Sequence, residues 1–273
     1  MSYIDPTRDD HAYFLGFFQT DGHLYAGRGR KGRAAIEISA RDVDILYAFS
    51  DLFPDVPTSV TERVRATNFS PGYHSVVWGA QIQSFREELI ALGVPVGRKS
   101  DTVRPPTVPF DTRGYLRGLI DGDGSVGFTG TGLPFVSLTT ASEAIATFFC
   151  EQVLAITGAR RTPRRNGRDG VFGPMVASDP AADLAAWLYP PGCLALARKS
   201  AAAQAVAAWR RPAGMRARPM SRRAWTREDD EVVRSHTIKK AAELLGRTEK
   251  SVNIRRWRLR QSRPEPAVAP RPR

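Results

Sequence analysis

Sulfur, histidine and long apolar runs are scarce in this chain. Of its 273 residues two are cysteine, Cys150 and Cys193, and four are histidine. Two thiols are too few for a disulfide framework or a tetrahedral thiolate metal site, and they fit a reducing cytoplasm as ordinary core residues. No segment approaches the roughly eighteen consecutive apolar residues of a membrane span. The opening MSYIDPTRDDHA is charged from its first turn and lacks an apolar central region, so neither export nor membrane insertion is expected. With 42% apolar residues the chain still has material for a real core, in one large or two ordinary domains.

Acidic charge is missing from one end. Residues 210–273 hold 19 Lys/Arg against 7 Asp/Glu, which accounts for the whole formal net charge of +12, while residues 1–209 hold 21 of each sign. A neutral body with a basic tail is built for attraction to a polyanion, and in a cytoplasmic protein that is nucleic acid. The plain alternative is a solvated, unstructured basic tail.

What is present is a repeat. Residues 14–22 read FLGFFQTDG and residues 116–124 read LRGLIDGDG, preceded by Tyr13 and Tyr115, with Asp21 and Asp123 standing 102 positions apart. A period that long indicates a duplicated domain rather than a solenoid. Within each copy Gly16 and Thr20, and Gly118 and Gly122, share one helix face, and small residues at that spacing let two backbones approach closely. Two such helices side by side would bring Asp21 and Asp123 together at their carboxyl ends, each ended by a glycine able to take the left-handed conformation. Paired carboxylates at negative helix ends describe a site for Mg²⁺, with chemistry suited to phosphodiester cleavage.

Each half reads as helix, strand, strand, helix, strand, strand, helix. Helices are expected over 10–20, 42–53 (capped by Asp42) and 84–92, with strands over 35–40, 60–67 and 73–82. In the second half helices are expected over 112–122, 142–156 (capped by Ser142) and 181–188, with strands over 125–128, 135–140, 160–164 and 171–177. Each half closes on Arg-Lys-Ser, at Lys99 and Lys199. Prolines mark linkers at 105–111 and 210–224, giving halves at 9–104 and 112–209, a small domain at 225–261 and a disordered tail at 262–273.

The doubled motif, the αββαββα order and the closing lysines resemble the LAGLIDADG homing endonucleases in their single-chain, two-motif form, over about the first 209 residues. The resemblance implies an α+β fold of two pseudo-symmetric halves forming a DNA-binding saddle, with strands in the major groove. It implies that Asp21 and Asp123 hold a divalent metal, Mg²⁺ or Mn²⁺, and that Lys99 and Lys199 polarise water or steady the transition-state phosphate. Gln19 departs from the motif's usual first acid, which Asp121 keeps; that position is structural, so the change bears on packing.

Candidate DNA contacts are Arg28, Arg30, Lys31 and Arg33 at the first hairpin, and Arg63 and Arg65 on a strand whose other face is Val60, Glu62, Val64 and Ala66. In the second half they are Arg160, Arg161, Arg164, Arg165 and Arg168. Residues 225–261 resemble a Myb-like or helix-turn-helix unit, its third helix offering Lys250, Ser251, Asn253, Arg255, Arg256 and Arg258 to a groove with Val252 and Trp257 inward.

The reading is therefore a monomeric, metal-dependent double-strand DNA endonuclease, cytoplasmic and nucleoid-associated, without a membrane or obligatory protein partner. Its rivals are a non-cleaving regulator that joins a LAGLIDADG domain to a helix-turn-helix, and an intron maturase. Met1-Ser2 at the start and Pro272-Arg273 at the end argue for a free-standing protein rather than an intein.

Overall fold

Two helices are buried on nearly every side. The first runs Asp9–Asp21 (α1), buried from His11 to Gln19, and the second runs Thr112–Asp123 (α4), buried from Gly114 to Asp121. Helices without a solvent face belong at the centre of a fold. A Cβ on Gly16 would run into the Tyr115 carbonyl oxygen, and one on Gly118 would stand 2.7 Å from the Phe17 nitrogen, so the two backbones touch. A Cβ on Gly122 would strike Thr20, and Gly114 extends the contact a further turn, to the Asp9 backbone.

The computed structural model describes residues 2–25, 33–65, 72–215 and 225–261, which fall in two units, Met1–Pro212 and Ala213–Arg273. In the first unit α1 leads into strands Gly22–Leu24 (β1) and Arg33–Ser39 (β2), helix Asp44–Leu52 (α2), strands Thr58–Arg65 (β3) and Tyr73–Gln81 (β4), and helix Gln83–Ala91 (α3). These strands form one antiparallel sheet ordered β1-β2-β4-β3. Its inward positions Ile36, Ile38, Val76, Trp78 and Ala80 are buried, with the Phe14 and Trp78 rings 5.8 Å apart.

After α4 come strands Gly124–Phe128 (β5) and Pro134–Leu138 (β6), helix Glu143–Thr157 (α5), strand Met175–Ala177 (β7), and helices Asp179–Leu188 (α6) and Ala197–Ala207 (α7). The second sheet is ordered β5-β6-β7. Ser142 caps α5 through its hydroxyl, and Gly158 closes that helix in the left-handed conformation. No helix of the described residues is long and apolar enough to cross a membrane.

Three elements differ from expectation. Asp42 does not cap α2: a 3-10 turn, Ala40–Asp42, intervenes, and the Asp42 carboxylate instead accepts from Arg198 Nε at 3.0 Å. The strand expected over 160–164 does not form; Pro163 removes a ladder donor and neighbouring arginines repel, so isolated bridges from Phe172 to Thr140 and Arg165, with the Arg161 side chain on Met175 O, stand in for a ladder. Helix α7 occupies a stretch for which only the closing Arg-Lys-Ser was expected, although its alanine-rich sequence has high helix propensity.

The second unit contains helices Arg227–Ser235 (α8), Ile238–Leu245 (α9) and Glu249–Gln261 (α10). Thr226 and Asp229 form a reciprocal capping box on α8, Thr237 caps α9, and Gly246 ends α9 in the left-handed region. Its core is small, Val233, Ala241, Ala242 and Val252, and is supplemented by Arg247 stacked 3.9 Å from the Trp225 ring centroid. The proposed inward Trp257 is 60% exposed. Val252 and Trp257 lie five positions apart, about 140° around a helix, so both cannot face one core. The expected disordered tail, 262–273, lies outside the described residues.

The backbone contact of α1 with α4 leaves no room for a methyl group. Gly118→Ala is expected to destabilise the fold by about 3 kcal/mol or more, through overpacking against main chain that cannot yield. Gly130→Ala, at a position open to solvent, is expected to be near neutral. Denaturant midpoints of the two variants test this; equal midpoints contradict a backbone-to-backbone contact.

Candidate active site

Asp21 and Asp123 are the last residues of α1 and α4. The glycines after them are not left-handed: Gly22 (φ −77) and Gly124 (φ −105) are extended and lead straight into β1 and β5. They are required for space, since a Cβ on Gly22 would meet the Phe18 carbonyl oxygen at 2.5 Å and one on Gly124 the Ser137 carbonyl oxygen at 2.6 Å. Each helix therefore turns into its strand without a loop, which keeps its terminal carboxylate in place.

Helix ends carry unsatisfied carbonyls, and a lysine meets them in each half. Lys99 Nζ, on the turn after α3, donates to the carbonyls of Phe18 (3.0 Å), Gln19 (2.5 Å) and Thr20 (2.6 Å). Lys199 Nζ, in the first turn of α7, donates to those of Ile120 (2.6 Å), Asp121 (2.6 Å) and Gly124 (2.9 Å). An ammonium has three protons, so both lysines are fully committed to main chain. They fasten the helix ends and place positive charge beside the acids.

Burial pulls both lysines down to about 8, against the attraction of Asp21 and Asp123. Asp21 is pushed up to about 6, first by burial and then by the charge of Asp123, with Lys99 and Lys199 pulling the other way. Burial raises Asp123 as well. The site is thus a pair of partly desolvated carboxylates whose like charges two ammonium groups offset incompletely. Among the described residues no group of three or more His, Cys, Asp or Glu is gathered as a metal site. A divalent ion would take the two carboxylates and complete its shell with water or substrate oxygens, as Mg²⁺ commonly does. The hard oxygen donors and the surplus negative charge suit such an ion. A cavity of about 60 Å³ adjoins Asp123 and Lys99, bounded also by Gln19, Thr20, Leu138 and Thr140.

A second buried layer aligns the helices. Asp121 accepts from Tyr13 Oη, Tyr189 Oη and the Leu196 backbone N–H, each at 2.7 Å. Burial raises its pKa, and those three donors hold it back. In the other half Gln19 Oε1 accepts from Tyr115 Oη, and Gln19 Nε2 donates to the Arg104 carbonyl at 3.1 Å. The tyrosine before each motif thus bonds to the other motif, and Gln19 serves where an acid would lack the donor that Arg104 needs. Arg117 is fully buried: its Nε donates to Leu194 O at 2.8 Å, it pairs with Asp9, and it lies 5.3 Å from the Tyr13 ring centroid. Sequence reasoning passed over Arg117 and Tyr189; an arginine amid an apolar motif was a usable signal, whereas nothing local marked Tyr189.

The candidate DNA contacts are more scattered. Arg28, Arg30 and Lys31 lie outside the described residues, as does the side chain of Arg65. Arg33 lies 4.9 Å from the Tyr25 ring centroid, and Arg63 pairs with Glu37 at 3.6 Å on the solvent face of the first sheet. Of Arg160, Arg161, Arg164, Arg165 and Arg168, Arg161 reaches β7, its Nε donating to Met175 O at 2.9 Å, Arg165 bridges to Phe172, and Arg168 pairs with Asp169. In α10 Arg255 is held by Asp230 (2.7 Å), and Arg256 Nε by the Val233 carbonyl (3.0 Å). Three and four positions after buried Val252, they have to flank the core, so they support the unit and are not offered to a groove. Lys250, Asn253, Ile254, Trp257 and Arg258 form its exposed face, and Ser251 is half-buried.

Residues 111–173 match the family of LAGLIDADG-like domains. No curated protein matches the chain in sequence. Among solved structures, the homing endonuclease I-WcaI bound to its DNA recognition sequence is similar at 11% identity over 71% of this chain and 87% of that one, with a TM-score of 0.48. Mesophilic variants of the homing endonuclease I-DmoI give 14% identity over 74% and 100%, with a TM-score of 0.49. Full-length DUF199/WhiA from Thermatoga maritima gives 12% identity over 93% and 90%, with a TM-score of 0.46. At such identities no residue role or activity passes from these proteins to this chain.

The crowded carboxylates make a prediction about stability. The folded protein keeps a proton on Asp21 up to pH about 6, whereas its ordinary value is 3.8, so metal-free protein loses stability as pH rises between these values. Asp21→Asn removes that loss and is expected to raise the melting temperature near pH 7.5 by roughly 3–8 °C without metal, the difference closing near pH 4. A variant that melts lower than the parent near pH 7.5 contradicts the charge crowding.

Proposed function

We propose that this chain is a site-specific double-strand DNA endonuclease, with divalent metal, Mg²⁺ or Mn²⁺, held between Asp21 and Asp123. The observation that carries the reading is the carboxylate pair at two abutting helix ends, raised in pKa and only partly neutralised. A fold gains nothing in stability from such a pair, whereas a cation shared with substrate phosphate gives it a use. When bound, the metal supplies an acidified water and neutralises charge on the leaving oxygen.

The chain's own residues position that chemistry. Lys99 and Lys199 fix the helix ends that carry the acids, and their charge keeps the pair ionisable near neutral pH. The two halves lie side by side through the motif helices as a pseudo-symmetric saddle, and their sheets take the DNA major groove on the faces opposite the core. The arginines near β7, with Arg63, supply phosphate contacts. The Ala213–Arg273 unit, resembling a Myb-like or helix-turn-helix module, holds flanking DNA through the α10 face containing Lys250, Asn253, Trp257 and Arg258. The protein acts as a monomer.

One observation favours a second reading, a DNA-binding regulator that does not cut. Neither lysine retains a donor for the reaction, since all six ammonium protons are directed to main-chain carbonyls. Cleavage separates the two.

Asp21→Asn and Asp123→Asn are each expected to leave DNA binding intact and to lower metal-dependent cleavage by 100-fold or more, on the order of losing one centre of transition-state charge stabilisation. New ends sequenced after incubation with Mg²⁺ and a DNA library measure this. Parent protein that binds a selected site and yields no ends in Mg²⁺ or Mn²⁺ supports the regulator.

Removing the residues after Met215 is expected to weaken binding and flatten its salt dependence, because the basic excess resides there, while cleavage at saturating protein persists. An unchanged slope of log K against log salt eliminates the anchoring role.

A further inference from the structure

The two sheets present solvent faces of different chemistry. In the first, Arg33 and Glu37 on β2 point away from the core, Arg63 on β3 pairs with Glu37 at 3.6 Å, and Ser75 Oγ donates to Glu37 at 2.7 Å. Charge stands in the middle of that face. In the second, register places Ser125 opposite Ser137, Gly127 opposite Phe135, and Phe135 and Ser137 opposite Ala177 and Met175. Val126, Val136 and Val176 alternate with these residues toward the core. None of the six outward positions is charged, and Met175 is 46% exposed. The Phe135 ring lies over Gly127, where a Cβ would be 3.8 Å from it.

Basic charge in this half is displaced to the rim. Arg161 Nε donates to the Met175 carbonyl of β7 at 2.9 Å, and Arg165 bridges to Phe172 just before that strand, so the arginine-rich stretch is tied to this side of the sheet at two points. A predominantly basic edge, with Asp169 paired to Arg168 within it, beside an uncharged, partly apolar face complements a groove with phosphates at its margin and apolar groups on its floor. In the major groove the apolar group is the thymine methyl, whereas arginine meets guanine and a carboxylate meets the cytosine amine. A G·C pair set against Phe135 and Met175 would lose water from its polar edge without gaining partners.

We propose that the DNA site is divided in composition: an A·T-rich half-site read by Phe135 and Met175 through thymine methyls, and a G·C-containing half-site beneath Arg33, Glu37 and Arg63. The inference rests on the reading of both sheets as DNA-contacting faces. Ser125 and Ser137, able to donate or accept, tolerate either orientation of an A·T pair.

The full chain would be used to select duplexes from a randomised library in Ca²⁺, and the selected site would then be made with deoxyuridine replacing thymine in one half at a time. Substitution in the A·T-rich half is expected to weaken binding roughly fourfold per contacted methyl, the affinity equivalent of one buried methyl group. Met175→Ala, at an exposed position that leaves the core intact, should reduce that dependence, and Arg63→Ala should leave it unchanged. A selected site without an A·T-rich half, deoxyuridine without effect, or a methyl dependence unaltered by Met175→Ala overturns the inference while DNA binding stands. Failure to enrich any sequence overturns both the inference and the reading beneath it.

Discussion

The contact between the backbones of α1 and α4 is the constraint on which everything else in the first unit depends. It exists because Gly16 and Gly118 lack side chains where each helix meets the other's main chain. Close approach brings the terminal acids into each other's field and lets Tyr13 and Tyr115 reach across to Asp121 and Gln19. Hydrogen bonds of that kind have narrow geometric limits, so they fix the register of the helices as well as their distance. A shift of one helical turn would separate the acids and leave buried hydroxyls unpaired. The apolar residues around the pair supply cohesion, but cohesion alone does not select a register.

The same contact creates an electrostatic problem that the fold relieves only in part. Two helix carboxyl ends and the motif aspartates, Asp21 half-buried and Asp123 reaching solvent, converge beside the fully buried Asp121. Lys99 and Lys199 answer the helix ends directly by hydrogen bonding, and answer the aspartates only through space. The lowered pKa of each lysine and the raised pKa of each aspartate have the same physical origin, burial that outweighs pairing. A structure selected for stability alone would not set two carboxylates in each other's field. Retaining them is intelligible where an added cation completes the site.

The helices of the motif and the sheets they feed were legible because periodicity and turn residues are local properties. Ser142 as a cap and Gly246 as a helix stop belong to the same class. What escaped the sequence is non-local. Asp42 has the composition of a cap, but Arg198 from the other half takes its carboxylate. Lys99 and Lys199 stand where a catalytic lysine would, yet their task is set by the direction of carbonyls on other helices. Arg255 and Arg256 read as surface charge until the inward turn of Val252 is known, after which α-helical geometry places them against the core. The glycines after Asp21 and Asp123 are required by crowding and not by a left-handed turn, a distinction carried by neighbours that sequence does not name.

The two motif-bearing segments are not alike, and their differences have a common direction. The first half keeps a four-stranded sheet and holds its lysine on a turn, while the second has three strands and holds its lysine on a helix. Gln19 bonds to one tyrosine where Asp121 gathers two tyrosines and a backbone N–H. More of the buried polar network therefore converges on the second motif, with Arg117 beside it and Lys199 beneath it. The half with fewer strands is the one whose motif helix is held by the greater number of buried hydrogen bonds. Once the central helices are clamped from within, the outer sheet carries less of the burden of positioning the acids, and its edge is free to change. The helix contact keeps the acids together, while the sheets on either side differ in strand number and in the charge of their outward faces.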